Sequence, residues 1–210
     1  SNATFVDGNG IIRTSYANQL NYSEQLDLAY WSKTNIVVTA NSGIAPDGTN
    51  TAEKIEANAI STNTHYIFRT HNIDGTISVY AKANGYNYVS VISQRAVTSP
   101  TEAAGVSVNL TNGSIHDIKD ATAKVIDVGD GWYRIILSRT DNLQQVHTLF
   151  QPHDGNTTPN HNDNFRVTYS GASPNTGGVL LWGVMQTNDL IAAGDYYKTT
   201  DTISGPPRYS

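Results

Sequence analysis

The sequence predicts an antiparallel β-sandwich, and three observations carry that expectation. Alternating or β-branched segments recur roughly every ten residues, divided by Gly, Asn and Asp turn signals. Helical periodicity is confined to two stretches of about two turns each, too short to build a helical core. No helical stretch recurs between the strands, which argues against a parallel α/β sheet. At 210 residues the chain is long enough to bury a sizeable core as one unit.

Taken in order, the two helical candidates are Glu24–Trp31 and Glu53–Ala59. The segment Thr76–Lys82 alternates and is followed by Asn84-Gly85 and then by Tyr86–Ser93. An Asn-Gly pair tolerates the positive φ angles of a type I′ turn, so this piece reads as a hairpin. A second hairpin is expected over Gly105–Leu110, Thr111-Asn112-Gly113 and Ser114–Ile118. Gly129-Asp130-Gly131 launches the strand Trp132–Arg139, in which Tyr133, Ile135 and Leu137 share a face. Further strands are expected at Val146–Phe150, Asn164–Tyr169 and Val179–Gln186. Two nearly apolar-free loops, Gln151–Asn164 and Ser170–Gly178, are long enough to suggest function or mobility. The chain shows no internal repeat of the kind that marks a propeller or solenoid.

Composition removes several classes. The chain has no Cys, so it has neither a disulfide framework nor a thiolate metal site. A net charge of −5 supplies no basic field for nucleic acid. No stretch approaches the roughly 20 apolar residues that would insert in a membrane. Catalytic templates are absent: there is no Gly-x-Ser-x-Gly elbow, no phosphate-binding Gly-Lys loop and no His-Glu-x-x-His. The four glutamates, Glu24, Glu53, Glu56 and Glu102, form no pattern that suggests a glycosidase pair. His147, His153 and His161 lie close along the chain with Asp154 and Asp163, but their spacing fits no established metal motif, and a solvated loop is the simpler reading.

Six pieces in a fixed order carry a family resemblance: Asn21–Leu26, Trp31–Asn35, Ala45–Ile55, Ser78–Lys82, Asp127–Arg134 and Leu181–Gln186. Together they resemble the carbohydrate-binding-module-like jelly-roll domain that recurs in bacteriophage tail-fibre and other virion proteins, over about residues 18–200. The resemblance implies a single-domain, jelly-roll-like all-β sandwich, extracellular and virion-borne, with no catalytic residues. It also implies host surface glycan as partner and a homotrimer within a longer fibre. A structural calcium is an option that such modules carry, for which Glu24 or Asp27 would offer oxygens; the residues themselves establish no cofactor. One departure is Tyr22-Ser23, where such domains often have a hydrophobic pair. The expected organisation is a tag remnant at 1–3, a connector at 4–20, the sandwich at 21–200 and a tail at 201–210.

Sugar-binding sandwiches stack pyranose faces on exposed aromatic rings and fix hydroxyls with amides, carboxylates or guanidinium groups. Trp132 and Arg134 share one strand face, and Tyr80 sits between Ser78 and Lys82 on another. The candidate ligand platform is therefore Trp132, Arg134 and Tyr80, with Tyr88 and Gln94 as further members if the strands join one sheet. Trp31 and Trp182 are assigned to the core. The competing roles are a purely structural spacer or oligomerisation module, in which these aromatics are buried, and a polysaccharide-degrading enzyme.

Overall fold

The computed structural model describes residues 4–6, 12–14, 17–58, 62–71, 75–95, 102–139, 146–170, 178–187 and 195–202. Among these residues all regular structure is strand. In chain order the strands are β1 (Thr4–Val6), β2 (Ile12–Thr14), β3 (Ser32–Thr34), β4 (Ile36–Gly43), β5 (Ala52–Ala57), β6 (Thr62–Thr64), β7 (Tyr66–His71) and β8 (Thr76–Asn84). They continue as β9 (Tyr88–Arg95), β10 (Ala103–Asn109), β11 (Ser114–Lys119), β12 (Ala121–Gly129), β13 (Trp132–Arg139), β14 (Val146–His153), β15 (Thr168–Ser170) and β16 (Gly178–Thr187).

Two six-stranded antiparallel sheets make the sandwich. Sheet I has the order β11-β10-β9-β14-β7-β3 and sheet II the order β12-β13-β8-β16-β5-β4. The chain changes sheet between β8 and β9, between β11 and β12 and between β13 and β14, which is the wrapping of a jelly roll. Inward positions obey the expected alternation. Ile77, Val79 and Ala81 of β8 meet Val89 and Val91 of β9, Tyr133, Ile135 and Leu137 of β13, and Phe150 of β14 in one buried cluster. Each such aliphatic side chain contributes about 1.5–3 kcal/mol on burial. Trp31, Leu20 and Leu26 belong to the same cluster. Segments 17–24 and 195–202 run side by side: Tyr22 N–H donates to Thr200 O at 2.7 Å, and Lys198 Nζ pairs with Glu24 at 2.6 Å. Ser23, at the Tyr22-Ser23 departure, is buried and hydrogen-bonded to the Tyr196 hydroxyl at 2.7 Å. Asn18 and Leu20 are buried as well, so the packed unit extends into the stretch read as a connector.

Five local expectations are corrected. Asn84-Gly85 does not close a hairpin, because β8 pairs with β13 and β16 whereas β9 pairs with β10 and β14. Only Gly85 of the pair takes a positive φ, so the type I′ geometry is not formed. Tyr86 instead turns into the core and its N–H donates to Gly178 O at 2.9 Å. Glu53–Ala57 is strand rather than helix, with Ile55 and Ala57 inward and Lys54 paired to Glu56 on the opposite face. Pairing with β4 and β16 overrides the helical preference of Glu and Lys there. Residues 24–31 form turns. The strand expected at Asn164–Tyr169 shrinks to β15, because Asn164 and Phe165 both adopt left-handed φ values near 53° and 58°. Of the long loops, Gln151–His153 belongs to β14. Residues 171–177 and 203–210 lie outside the described residues.

Candidate functional site

The five platform residues divide between the two sheets. Trp132, Arg134 and Tyr80 lie on the outer face of sheet II, where β13 and β8 put Arg134 opposite Tyr80 and Trp132 opposite Lys82. Tyr88 and Gln94 lie on sheet I, at opposite ends of β9. No single surface joins all five.

On sheet II the aromatic face is closed. Trp132 is 2% exposed and packs with Ala45, Ala52, Leu180 and Trp182, and its indole N–H donates to Ile44 O at 3.1 Å. Tyr80 meets Trp182 edge-on with centroids 5.3 Å apart, and Tyr196 covers both rings. Trp182 is thus buried as expected, but in this outer cluster rather than in the main core. The Arg134 guanidinium sits 5.5 Å from the Tyr80 ring centre and donates to Ser78 Oγ. Beside Trp132 there remains an open cleft of about 340 Å³ between Ile44–Pro46 and Val128–Asp130, with Lys82 on its wall. Tyr88 is likewise engaged: it stacks on His153 at 5.5 Å and its hydroxyl accepts from Asn109 Nδ2.

Gln94 belongs to a different and more open constellation. On the outer face of sheet I, β7 displays Tyr66, Phe68 and Thr70, and β14 brings His147 between Thr70 and Gln94. Tyr66 and Phe68 are half-buried, with ring centres 5.6 Å apart. Arg166 reaches in from the 154–167 loop. Its guanidinium lies 4.5 Å from the Tyr66 ring centre and donates to Gln94 Oε1 at 2.6 Å. His147 stands edge-on to Phe68 at 5.2 Å and hydrogen-bonds the Thr70 hydroxyl at 2.7 Å. Burial, and then the neighbouring Arg166 charge, hold its pKa below the usual value and favour the neutral imidazole. Beside this strip, on the same face, Ile92, Ala103, Leu149 and Phe165 form a small apolar cluster against which Tyr66 and Phe68 pack. The result is two partly open aromatic rings beside an amide, a guanidinium, an imidazole and a hydroxyl. That combination offers apolar surface and directional hydrogen bonds to one small polyhydroxylated ligand.

Of this constellation the sequence reading named Gln94 and did not group Tyr66, Phe68, Thr70, His147 and Arg166 with it. The signal was present in Tyr66-Ile67-Phe68-Arg69-Thr70, which alternates with aromatics at every second position. Its neighbours Gln94 and His147 are brought beside it by the sheet order, and Arg166 reaches in from a loop.

The histidines once weighed as metal ligands take separate places. His153 is buried between the Ser90 and Ser107 hydroxyls, His147 belongs to the strip, and His161 contacts Asp117 at 3.0 Å. Among the described residues no three His, Cys, Asp or Glu side chains are grouped to hold a metal. Glu24 is taken up by Lys198 and the Tyr196 hydroxyl. Asp27 is in hydrogen-bond contact with buried Glu53, whose pKa is pushed up to about 8 by burial and by the Asp27 charge. Such contact is closer than the roughly 5–9 Å that separates glycosidase carboxylates.

No protein-family model matches the chain, and no curated protein matches it. Among solved structures, the D1-D2-D3 domains of the flagellar cap protein FliD from Escherichia coli align at 12% identity and a TM-score of 0.21. That alignment covers 82% of this chain and 54% of the other, so the chain spans about half the length of its structural match. A likeness at that score carries no argument about fold or role. No helix among the described residues is long and apolar enough to cross a membrane.

Proposed function

We propose that the chain is a non-catalytic recognition module of a phage tail or other virion protein, and that it binds host cell-surface glycan on the outer face of sheet I. The observation that carries this reading is the half-open Tyr66–Phe68 pair flanked by Gln94, Thr70, His147 and Arg166. Planar rings bind a sugar's C–H face with little loss of side-chain entropy, and the polar neighbours discriminate hydroxyl positions. The virion setting rests on the six-piece sequence resemblance alone.

The test is a bacterial glycan array probed with the purified chain and with Tyr66→Ala, Phe68→Ala and Gln94→Ala. Saturable binding is expected, weakened about tenfold by either aromatic truncation, which corresponds to roughly 1.4 kcal/mol. An unchanged affinity in both aromatic variants overturns this location. A folded chain that binds no glycan supports the second reading, a structural spacer. That reading is favoured by one specific observation, the burial of the Trp132 indole among Ala45, Ala52, Leu180 and Trp182 with its N–H on Ile44 O.

A further inference from the structure

The interior of the sandwich holds a polar contact that the recognition surface does not use. Thr148 of β14 and Gln186 of β16 belong to different sheets and meet across the core, with relative exposures of 0% and 1%. The Thr148 hydroxyl donates to Gln186 Oε1 at 2.6 Å. The Nε2 of His71, at the end of β7, lies 2.8 Å from the same hydroxyl oxygen. A hydroxyl nucleophile, an imidazole and a carboxamide are thus held in series, and the surrounding packing excludes water from the first and third.

We propose that Thr148 and Gln186 form an intramolecular ester that covalently joins the two sheets. While the Thr148 hydroxyl donates its proton to Gln186 Oε1, His71 Nε2–H donates to Oγ1. The step starts from the other tautomer, in which Nε2 is unprotonated and the Thr148 hydroxyl has turned its proton toward it. This nitrogen takes that proton as Oγ1 bonds to Cδ of Gln186. The tetrahedral intermediate collapses by breaking the Cδ–Nε2 bond of Gln186. The imidazolium returns its proton to the departing nitrogen, which leaves as ammonia. The balance is one hydroxyl and one carboxamide giving one ester and one ammonia, with no oxidant, reductant or further reactant. Two physical features favour the step. The fold holds the Thr148 hydroxyl oxygen 2.6 Å from Gln186 Oε1, beside the carbonyl it attacks, which replaces a bimolecular encounter by a preset one. An adjacent base is what converts a neutral hydroxyl into a nucleophile. Burial then protects the product, since hydrolysis needs water where the sandwich admits none. His71 is only half-buried, so its imidazole exchanges protons with solvent. In a chain without Cys, this link takes the place a disulfide would have in joining the two layers.

The experiment is intact-mass measurement of the purified, fully denatured chain, followed by peptide mapping. The expected result is a mass lower than the sequence mass by one ammonia, with the Thr148 and Gln186 peptides joined and separated again by hydroxylamine. Thr148→Val should restore the full mass. Because that variant could fail for reasons of folding, Thr148→Ser is the companion and should keep the link. His71→Gln should slow the appearance of the mass deficit in folded protein, an effect that a purely structural role for His71 would not produce. Full sequence mass after prolonged incubation of the folded chain overturns the proposal. So does a deficit that maps to Asn84-Gly85 or Asn112-Gly113, where succinimide formation also releases ammonia.

Discussion

Trp132 and Tyr66 both stand on the outer face of a strand, yet their surroundings give them opposite work. Trp132 is roofed by the 44–51 segment, and its ring atoms are in contact with Ala45, Leu180 and Trp182 rather than solvent. Tyr66 has apolar support on one side and the Arg166 guanidinium over its ring, with part of the ring open. Truncating a buried indole removes its burial energy and leaves a cavity, so Trp132→Ala should cost about 3–5 kcal/mol. Tyr66→Ala, by contrast, should cost much less stability while weakening ligand binding. Urea unfolding of the two variants checks this directly. Equal losses of stability would mean that the two faces are equally structural, and the recognition surface would lose its distinction from the Trp132 cluster.

At the scale of elements, the 154–167 loop is the clearest case of a segment whose composition concealed its role. It reads as solvated because it is nearly all polar, but its last residues drive Phe165 into sheet I. Phe165 packs on Ile92, Ala103 and Leu149, and its ring lies so close over Gly105 that a Cβ there would fall 2.2 Å from Cδ1. Lys119 Nζ donates to His161 O at 2.8 Å and holds the middle of the loop. Phe165→Ala should therefore release the loop and, with it, Arg166 from Gln94. Limited proteolysis should cut the variant within 154–164 while leaving the wild-type loop intact, and equal resistance in both would show that Phe165 is not the anchor. Gly105→Ala should have a similar effect by displacing the same ring. The lesson about legibility is specific. The β10–β11 hairpin and the start of β13 were readable because Thr111-Asn112-Gly113 and Gly129-Asp130-Gly131 state their turn chemistry locally, whereas β12 was not singled out. The alternating face of β13 was readable for the same reason. The β8–β9 crossover was not, since Asn84-Gly85 carries the same local signal and only the sheet assignment of β9 decides its outcome. The Tyr66–Phe68 strip was hidden for a related reason: β7, β14 and β9 are neighbours only through long-range register, and Arg166 reaches them from a loop.

Across the whole molecule, two buried titratable groups at distant points of the sandwich give stability a definite shape with pH. Glu53, facing Asp27 and near Lys33, has its pKa raised from 4.5 to about 8, chiefly by burial and then by the Asp27 charge. The folded state therefore holds a proton that the unfolded chain has lost. Its contribution is complete below pH 4.5 and is lost as pH rises to about 8. His153, enclosed by Tyr88, Ser90 and Ser107 with His116 and Asp154 as its charged neighbours, has its pKa lowered from 6.5 to about 4, mainly by burial. Its contribution is complete above pH 6.5 and is lost as pH falls to about 4. His147 acts in the same direction as His153. Each group alone gives a slope of at most about 1.4 kcal/mol per pH unit, reduced for Glu53 by solvent around exposed Asp27. Between pH 4.5 and 6.5 the two slopes oppose each other, so the melting temperature should be nearly level there. From pH 6.5 to 8 the loss from Glu53 is no longer offset by His153, and the melting temperature should fall. Glu53→Gln keeps the shape of the side chain and removes its titration, so thermal melts of this variant should stay level across the alkaline part of that range. A fall that persists in Glu53→Gln would assign the alkaline loss to another group, and a wild-type profile without any fall would mean that Glu53 is ionised in the folded chain at neutral pH.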